Sequence, residues 1–256
     1  MASFLNCGVP VTPLETSRPP VTPIEKLLGA SRLFGQLPPS TLTGLAARTV
    51  RRSARRGERI FRAGEPALRF NLIISGVVKI VRPVADGTEA IIGLFGPRES
   101  IGDPAVLERG SYMADAVVAS DHAEILSIDA APVLALTQRS IEVANSICRV
   151  LLDHTRALHE KIGIMSAGSV PKRLATLFLA LGERFGDEQE DGTLSMPIAL
   201  SRGELACLVG ARVETTIRTV RRWERADILE TQSDGFTIKD VRALVEETRA
   251  RGSRED

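Results

Sequence analysis

The residues best suited to chemistry lie between Leu200 and Leu229, in the stretch LSRGELACLVGARVETTIRTVRRWERADIL. Their chemistry is recognition. Arg212, Arg218, Arg221, Arg222 and Arg225 supply five guanidinium groups, with Glu214 and Glu224 set among them. A guanidinium is a planar fork of donors that matches phosphate oxygens and the O6/N7 edge of guanine. On a helical wheel Glu214, Arg218, Arg221 and Arg225 share one face, and Val213, Thr216, Val220 and Trp223 share the other. A helix from about Val213 to Ala226 would bury the second face and present the first. That presented face has the length and chemistry to enter a DNA major groove. The candidate contact residues are Ser201, Arg202, Arg212, Val213, Glu214, Thr215, Ile217, Arg218, Arg221 and Arg222. Ile217 lies at the edge of the face. There it could meet a thymine methyl group, or pack on the preceding helix near Leu205 or Leu208. Nothing in the chain sets an acid, a base and a nucleophile at usable spacing, so the sequence does not read as an enzyme.

These side chains need a scaffold, and the same stretch spells one out. Ser201 and Glu204 have capping-box spacing, which marks a helix start. Ala206 is small where two helices must cross, and Gly210 suits the tight turn between them. Downstream, ILETQSDGFTIKD reads as strand, Asp234-Gly235 turn and strand, a wing beside a helix-turn-helix. A last helix runs from Lys239 to about Arg249. Upstream, Ser166–Ser169 is a small-residue hinge, Pro171 opens a helix over Lys172–Phe185, and GDEQEDG is an acidic loop.

ELACLVGARVETTIRTV resembles the recognition region of the Crp/Fnr superfamily of bacterial transcription regulators. That family carries a glutamate followed four residues later by an arginine, and Glu214 and Arg218 match. Val213, just before the glutamate, is closer to the Fnr-like branch than to the cyclic-AMP receptor branch. Ile217 stands where Ser or Gly is common, a departure that bears on the DNA sequence read. The resemblance implies a homodimer binding double-stranded DNA at a palindromic site, with RNA polymerase as a further partner.

From about Val50 to Asp129 the chain breaks into short β-rich runs. Gly64-Glu65-Pro66, Ser75-Gly76 and Asp86-Gly87 punctuate them. The spacing suits an antiparallel barrel or jelly roll, and the runs resemble the cyclic-nucleotide-binding β-roll of the same family. In cyclic-AMP-binding members a Gly-Glu pair and a later Arg-Ser or Arg-Thr pair hold the nucleotide. Here Gly102-Asp103 resembles the first pair. Met113-Ala114 stands at the second with no arginine, and Asp115 adds negative charge where a phosphate would sit. The cassette is degenerate: no cofactor is expected, the effector is unknown, and cyclic AMP is disfavoured. Arg109 would serve only if the register slipped.

Ser140 to about Met165 is a long helical segment. Ile141, Ala144, Cys148, Leu151, Thr155, Leu158, Ile162 and Met165 alternate spacings of three and four, an a/d seam for self-association. Ile147, Val150 and Leu152 lie off the seam and suit packing on the barrel.

The expected fold class is α+β. A disordered proline-rich arm (1–23) precedes a β-roll (24–139), a dimerisation helix with hinge (140–166) and a winged helix (167–256). With 256 residues, 43% hydrophobic and a net charge of +1, whole-chain charge decides nothing about nucleic acid; the local arginines do. No apolar run approaches the ~20 residues of a membrane span. Neither a signal peptide nor a membrane partner is expected. Cys7, Cys148 and Cys207 are scattered, which fits a reducing cytoplasm and offers no metal or iron–sulfur spacing. His122, His154 and His159 read as surface or packing residues. The Arg48–Arg56 run reads as a solvated face. The rival reading is a ligand-binding regulatory module of an enzyme complex, in which residues 200–238 would have no role.

Overall fold

The computed structural model describes residues 22–83 and 89–249. Most of the proline-rich arm with Cys7, the Asp86-Gly87 turn and the last residues of the chain lie outside the described residues. The first part runs α1 (Ile24–Gly29), α2 (Pro39–Ala46), β1 (Thr49–Arg55), β2 (Arg59–Phe61), β3 (Arg69–Ser75), β4 (Val78–Pro83), β5 (Glu89–Phe95), β6 (Ser100–Ile101), α3 (Asp103–Leu107), β7 (Asp115–Val118), β8 (His122–Asp129) and α4 (Ala130–Thr137). There follow α5 (Ile141–Met165), α6 (Val170–Phe185), β9 (Asp187–Glu188), β10 (Leu194–Met196), α7 (Arg202–Val209), α8 (Val213–Arg225), β11 (Leu229–Thr231), β12 (Phe236–Ile238) and α9 (Val241–Arg249).

The strands β1 to β8 form two antiparallel four-stranded sheets, ordered β1-β8-β3-β6 and β2-β7-β4-β5. This is the expected β-roll. Phe70, Leu72, Ile73, Val78, Leu126 and Ile128 are buried in one core cluster with residues of α1, α2, α4 and α5. The second sheet is apolar on both faces. Ala116 and Val118 turn into the roll, whereas Val117 and Ala119 turn outward, and all four are buried. Successive side chains on a strand point to opposite faces, so a continuous apolar run is stable only when both faces are covered. The cover over the outer face is the C-terminal region. Val77, Val81, Ile91, Leu94, Val117 and Ala119 share one cluster with Leu174, Phe178, Leu205 and Trp223. The Ala199 amide donates to the Ala119 carbonyl at 2.9 Å across the same join.

The helix α5 starts at Ser140, whose hydroxyl accepts from the Val143 amide at 3.4 Å. Its Val143, Ile147 and Val150 sink into the β-roll core. The expected seam faces the other way: Ile141 is 68% exposed, Leu158 52%, Ile162 61% and Met165 41%. Leu152 does not pack on the barrel as its off-seam position suggested; it is 55% exposed. Two residues beyond Val150, it sits about 200° round the helix from the packed stripe.

In the C-terminal region β11, β12 and β10 extend the wing into a sheet that ends on β9. The acidic stretch GDEQEDG is thus not all loop, because Glu188 pairs with Leu194 and Asp187 with Ser195. Both acidic side chains stay exposed, and two-residue strands carry no readable period. No described helix is long and apolar enough to cross a membrane.

The two-faced sheet yields a paired test. Val118→Ala and Val117→Ala should each cost about 1–3 kcal/mol of packing. The Val117 variant should also speed proteolytic cleavage at Ser166–Ser169, because it loosens the docked C-terminal region, while the Val118 variant lowers the thermal midpoint without that effect. Equal cleavage of the two variants would show that the outer face does not hold the C-terminal region.

Candidate nucleic-acid interface and sensor site

Local chemistry builds the helix-turn-helix as the sequence suggests. The Ser201 hydroxyl accepts from the Glu204 amide at 3.2 Å, and the Ser201 amide donates to the Glu204 carboxylate at 2.7 Å, a complete capping box. Gly210 follows α7 in left-handed backbone at φ 62°, a conformation costly for residues with a Cβ. Ala206 is buried at the helix crossing. On α8, Thr216, Val220 and Trp223 are fully buried. The Trp223 ring meets Phe178 edge-on at 6.2 Å and its Nε1 donates to Glu247 at 3.1 Å. Val213 departs from this face and is 41% exposed. As the first residue of α8 it overhangs the crossing, so the wheel's inward assignment fails there, and the residue stands among the outward candidates.

Arg212, Val213, Glu214, Arg218, Arg221 and Arg222 are exposed, with Thr215 and Ile217 half-buried beside them. Arg212, Arg218 and Arg221 have no ion partner among the described residues. Arg222 pairs with Glu247 at 2.7 Å. Arg202 is more tightly held: it pairs with Glu224 at 2.9 Å, donates to the Thr231 hydroxyl at 2.7 Å and lies over the Phe236 ring. These contacts link the wing to α8, and the Ser201 hydroxyl is engaged in the cap. Two arginines of the Arg48–Arg56 run are also partnered, Arg51 with Glu124 and Arg56 with Asp121.

In the β-roll Gly102, in left-handed backbone, opens α3. A Cβ there would collide with the Tyr112 ring, which stacks on Phe61 at 3.8 Å. Asp103 is 1% exposed. Its Oδ2 accepts from the Ser100 hydroxyl at 2.6 Å and lies 3.6 Å from His154 Nε2. Its Oδ1 has no partner among the described residues. Burial pushes the Asp103 carboxyl up to about 6, against the opposing pull of Ser100 and His154. Met113 is 62% exposed and Ala114 buried. Asp115 accepts from the Ala63 amide and Arg59 Nε, each at 2.7 Å. The Ala63 amide, with help from Arg59, holds its carboxyl below the usual range despite some burial. Arg109 is exposed beyond α3.

Between this cassette and the long helix lies a cavity of about 370 Å³. Phe61, Ile80, Leu94 and Tyr112 line it from the β-roll, His154 and Lys161 from α5, and Leu181 and Leu208 from α6 and α7. His154 and Lys161 are the residues that sequence reasoning passed over. They are seven apart on the stripe that continues Val143, Ile147 and Val150, and that spacing was available as a signal. Polar ties flank the join. Lys79 of β4 forms an ion pair with Glu204, and Arg184 of α6 donates to the Leu94 carbonyl at 3.0 Å and pairs with Glu99 at 3.2 Å. Burial opposes ionisation of Glu204, but Lys79 and the Ser201 cap outweigh it and hold the carboxyl below its usual range.

Two family descriptions match in tandem: a cyclic nucleotide-binding domain over residues 51–140 and a Crp-like helix-turn-helix domain over residues 172–247. A CRP-like cAMP-activated global transcriptional regulator of Mycobacterium tuberculosis is 27% identical over 88% of this chain and 100% of its own length. The fumarate and nitrate reduction regulatory protein of Yersinia pestis is 25% identical over 75% of each chain. Among solved structures, a CRP-family transcriptional regulator from Thermus thermophilus superposes with a TM-score of 0.66 at 19% identity, covering 78% of this chain and 97% of its own. FixK2 from Bradyrhizobium japonicum gives 0.64 at 18% identity, covering 80% and 99%.

The buried Asp103 has a consequence for stability. A carboxyl whose pKa is about 6 when folded and near 3.8 when unfolded binds more protons in the folded state. Its favourable contribution is therefore present below pH 3.8 and is lost as pH rises through about 6. Asp103→Asn removes the charge and should raise stability at pH 7.5 by on the order of 1–3 kcal/mol. Denaturant titrations at pH 4.5 and 7.5 check this, since the gain should shrink at the lower pH. A loss of stability at pH 7.5 would mean that the charged form is well solvated.

Proposed function

We propose, from the tandem cyclic nucleotide-binding and Crp-like helix-turn-helix matches and the regulators this chain is similar to, that it is a DNA-binding transcription regulator of the Crp/Fnr superfamily that works as a homodimer reading a two-fold symmetric site. The observation that carries the reading is the exposed arginine face of α8, held on a packed and capped helix-turn-helix. Arg212, Arg218 and Arg221, without ion partners among the described residues, would meet phosphates and guanine edges. Glu214 can accept from a cytosine amino group. Ile217 is half-buried, and we assign it to the groove edge against a thymine methyl. Arg202 and Ser201 position the reading head.

The dimer is supported by the two-striped α5. One stripe is spent on the β-roll and the other, rich in exposed Leu and Ile, lacks a cover within the described chain. Two such helices side by side would bury their seams as a coiled coil does. The pair of α8 helices would then meet successive major grooves ~34–36 Å apart. In this division of labour residues 24–139 sense, 140–166 dimerise and 167–256 read DNA, in the cytoplasm and with RNA polymerase as partner.

Site selection from random duplexes tests the reading and should return an inverted repeat. Arg218→Ala should cost ~1–3 kcal/mol and relax the choice at one symmetric base-pair position. Uniform weakening on all sequences would reduce Arg218 to a phosphate contact. Placing Glu at both Leu151 and Leu158 would set four like charges in one seam and should give monomers by sedimentation, with DNA affinity falling in parallel. An unchanged sedimentation profile would remove α5 from the interface.

A further inference from the structure

We infer that the cavity between the β-roll, α5 and the C-terminal region takes a small amphipathic anion, an apolar acyl or aryl body bearing one carboxylate, with the acid group on Lys161. As an effector site it rests on the regulator reading above. Three observations converge on this chemistry.

The first is the lining. At about 370 Å³ the cavity is within the range of small-molecule sites, and its walls are mostly apolar, with Phe61, Ile80, Leu94, Tyr112, Leu181 and Leu208 among them, while Arg82, Glu160 and Arg184 also border it. Such walls reward an apolar body and leave a ribose or a base with few partners.

The second is Lys161. Its Nζ reaches into this apolar surface and donates to the Ile91 carbonyl at 2.6 Å and the Ile92 carbonyl at 3.4 Å. No carboxylate lies within 4.0 Å of it among the described residues. An ammonium has three donors, and a half-buried one without a counter-ion is an incomplete site. Burial lowers its pKa from the ordinary lysine range, opposed by Cys207 on α7. An anionic partner would offset that cost and complete the donor set.

The third is the polarity of the cavity. One end is bounded by Gly102 and Pro104, the neighbours of Asp103, and by His154. The buried Asp103 carboxyl, with Oδ1 unpartnered, makes that end hostile to an anion. Lys161 is seven residues farther along α5 than His154, roughly 10 Å at the helical rise. Arg184 is paired with Glu99, whereas Lys161 donates only to backbone carbonyls, and Lys161 is therefore the anchor we assign to a single acid group. Because Leu181 and Leu208 belong to α6 and α7, the bound molecule would touch the DNA-binding region directly.

The test uses the full chain with decanoate and 4-phenylbutyrate as probes, decanol as the neutral counterpart, and cyclic AMP as the alternative. Calorimetry should show saturable binding of at least one carboxylate below millimolar concentration. Lys161→Met should weaken it about tenfold or more, the loss expected for a charge-assisted contact, while leaving decanol unchanged. Ala157→Phe fills the cavity from α5 and should abolish both, in a protein whose circular dichroism is unaltered. The inference is overturned by carboxylate affinity that survives Lys161→Met or Ala157→Phe, by silence of both carboxylates, or by tighter binding of cyclic AMP. Site selection with the ligand-free protein separates the two readings. Carboxylate binding by a protein that selects no DNA would sink the regulator reading and leave the cavity assignment standing.

Discussion

A sheet that is apolar on both faces cannot be left half in water, and much of this architecture follows from covering the β2-β7-β4-β5 sheet twice. The inner face is covered by the second sheet of the β-roll. The outer face, through Val77, Val81, Ile91, Leu94, Val117 and Ala119, is covered by α6, α7 and their neighbours. Each buried valine or leucine is worth roughly 1.5–3 kcal/mol relative to exposure. The outer face therefore anchors the DNA-reading region far more firmly than the surface ion pairs beside it could.

That docking joins the β-roll and the helix-turn-helix region by contact. Glu204 closes the capping box of α7 and also pairs with Lys79 of β4. One carboxylate thus serves the start of the helix-turn-helix and the adjacent β-hairpin. A shift of the hairpin changes the environment of the residue that caps the start of α7. The cavity lies at the same join, walled by both regions, so its contents bear on their relative placement without a long relay.

The long helix carries the complementary load. Its packed stripe of Val143, Ile147 and Val150 ties it to the β-roll, and His154 and Lys161 extend the stripe into the cavity. Its opposite stripe is exposed. A single helix thereby borders the cavity on one side and leaves an exposed apolar stripe on the other.

Periodicity and punctuation made much of this legible in the sequence. The capping box, Gly210, the α8 wheel and the α5 seam are local patterns, and local patterns follow from helical geometry that every chain shares. Three readings failed where tertiary packing decides. Val213 lies past the edge of a neighbouring helix, Leu152 falls opposite the packed stripe, and Asp187-Glu188 forms a strand through backbone pairing alone. The cavity was unreadable for the same reason. Phe61, Tyr112, His154, Lys161, Leu181 and Leu208 are scattered over more than half the chain, and no spacing announces their meeting. The residues along the chain determined which faces are apolar and which are charged; only the tertiary structure decided what covers each face, because a covering partner is a matter of distance in space and not of separation in sequence.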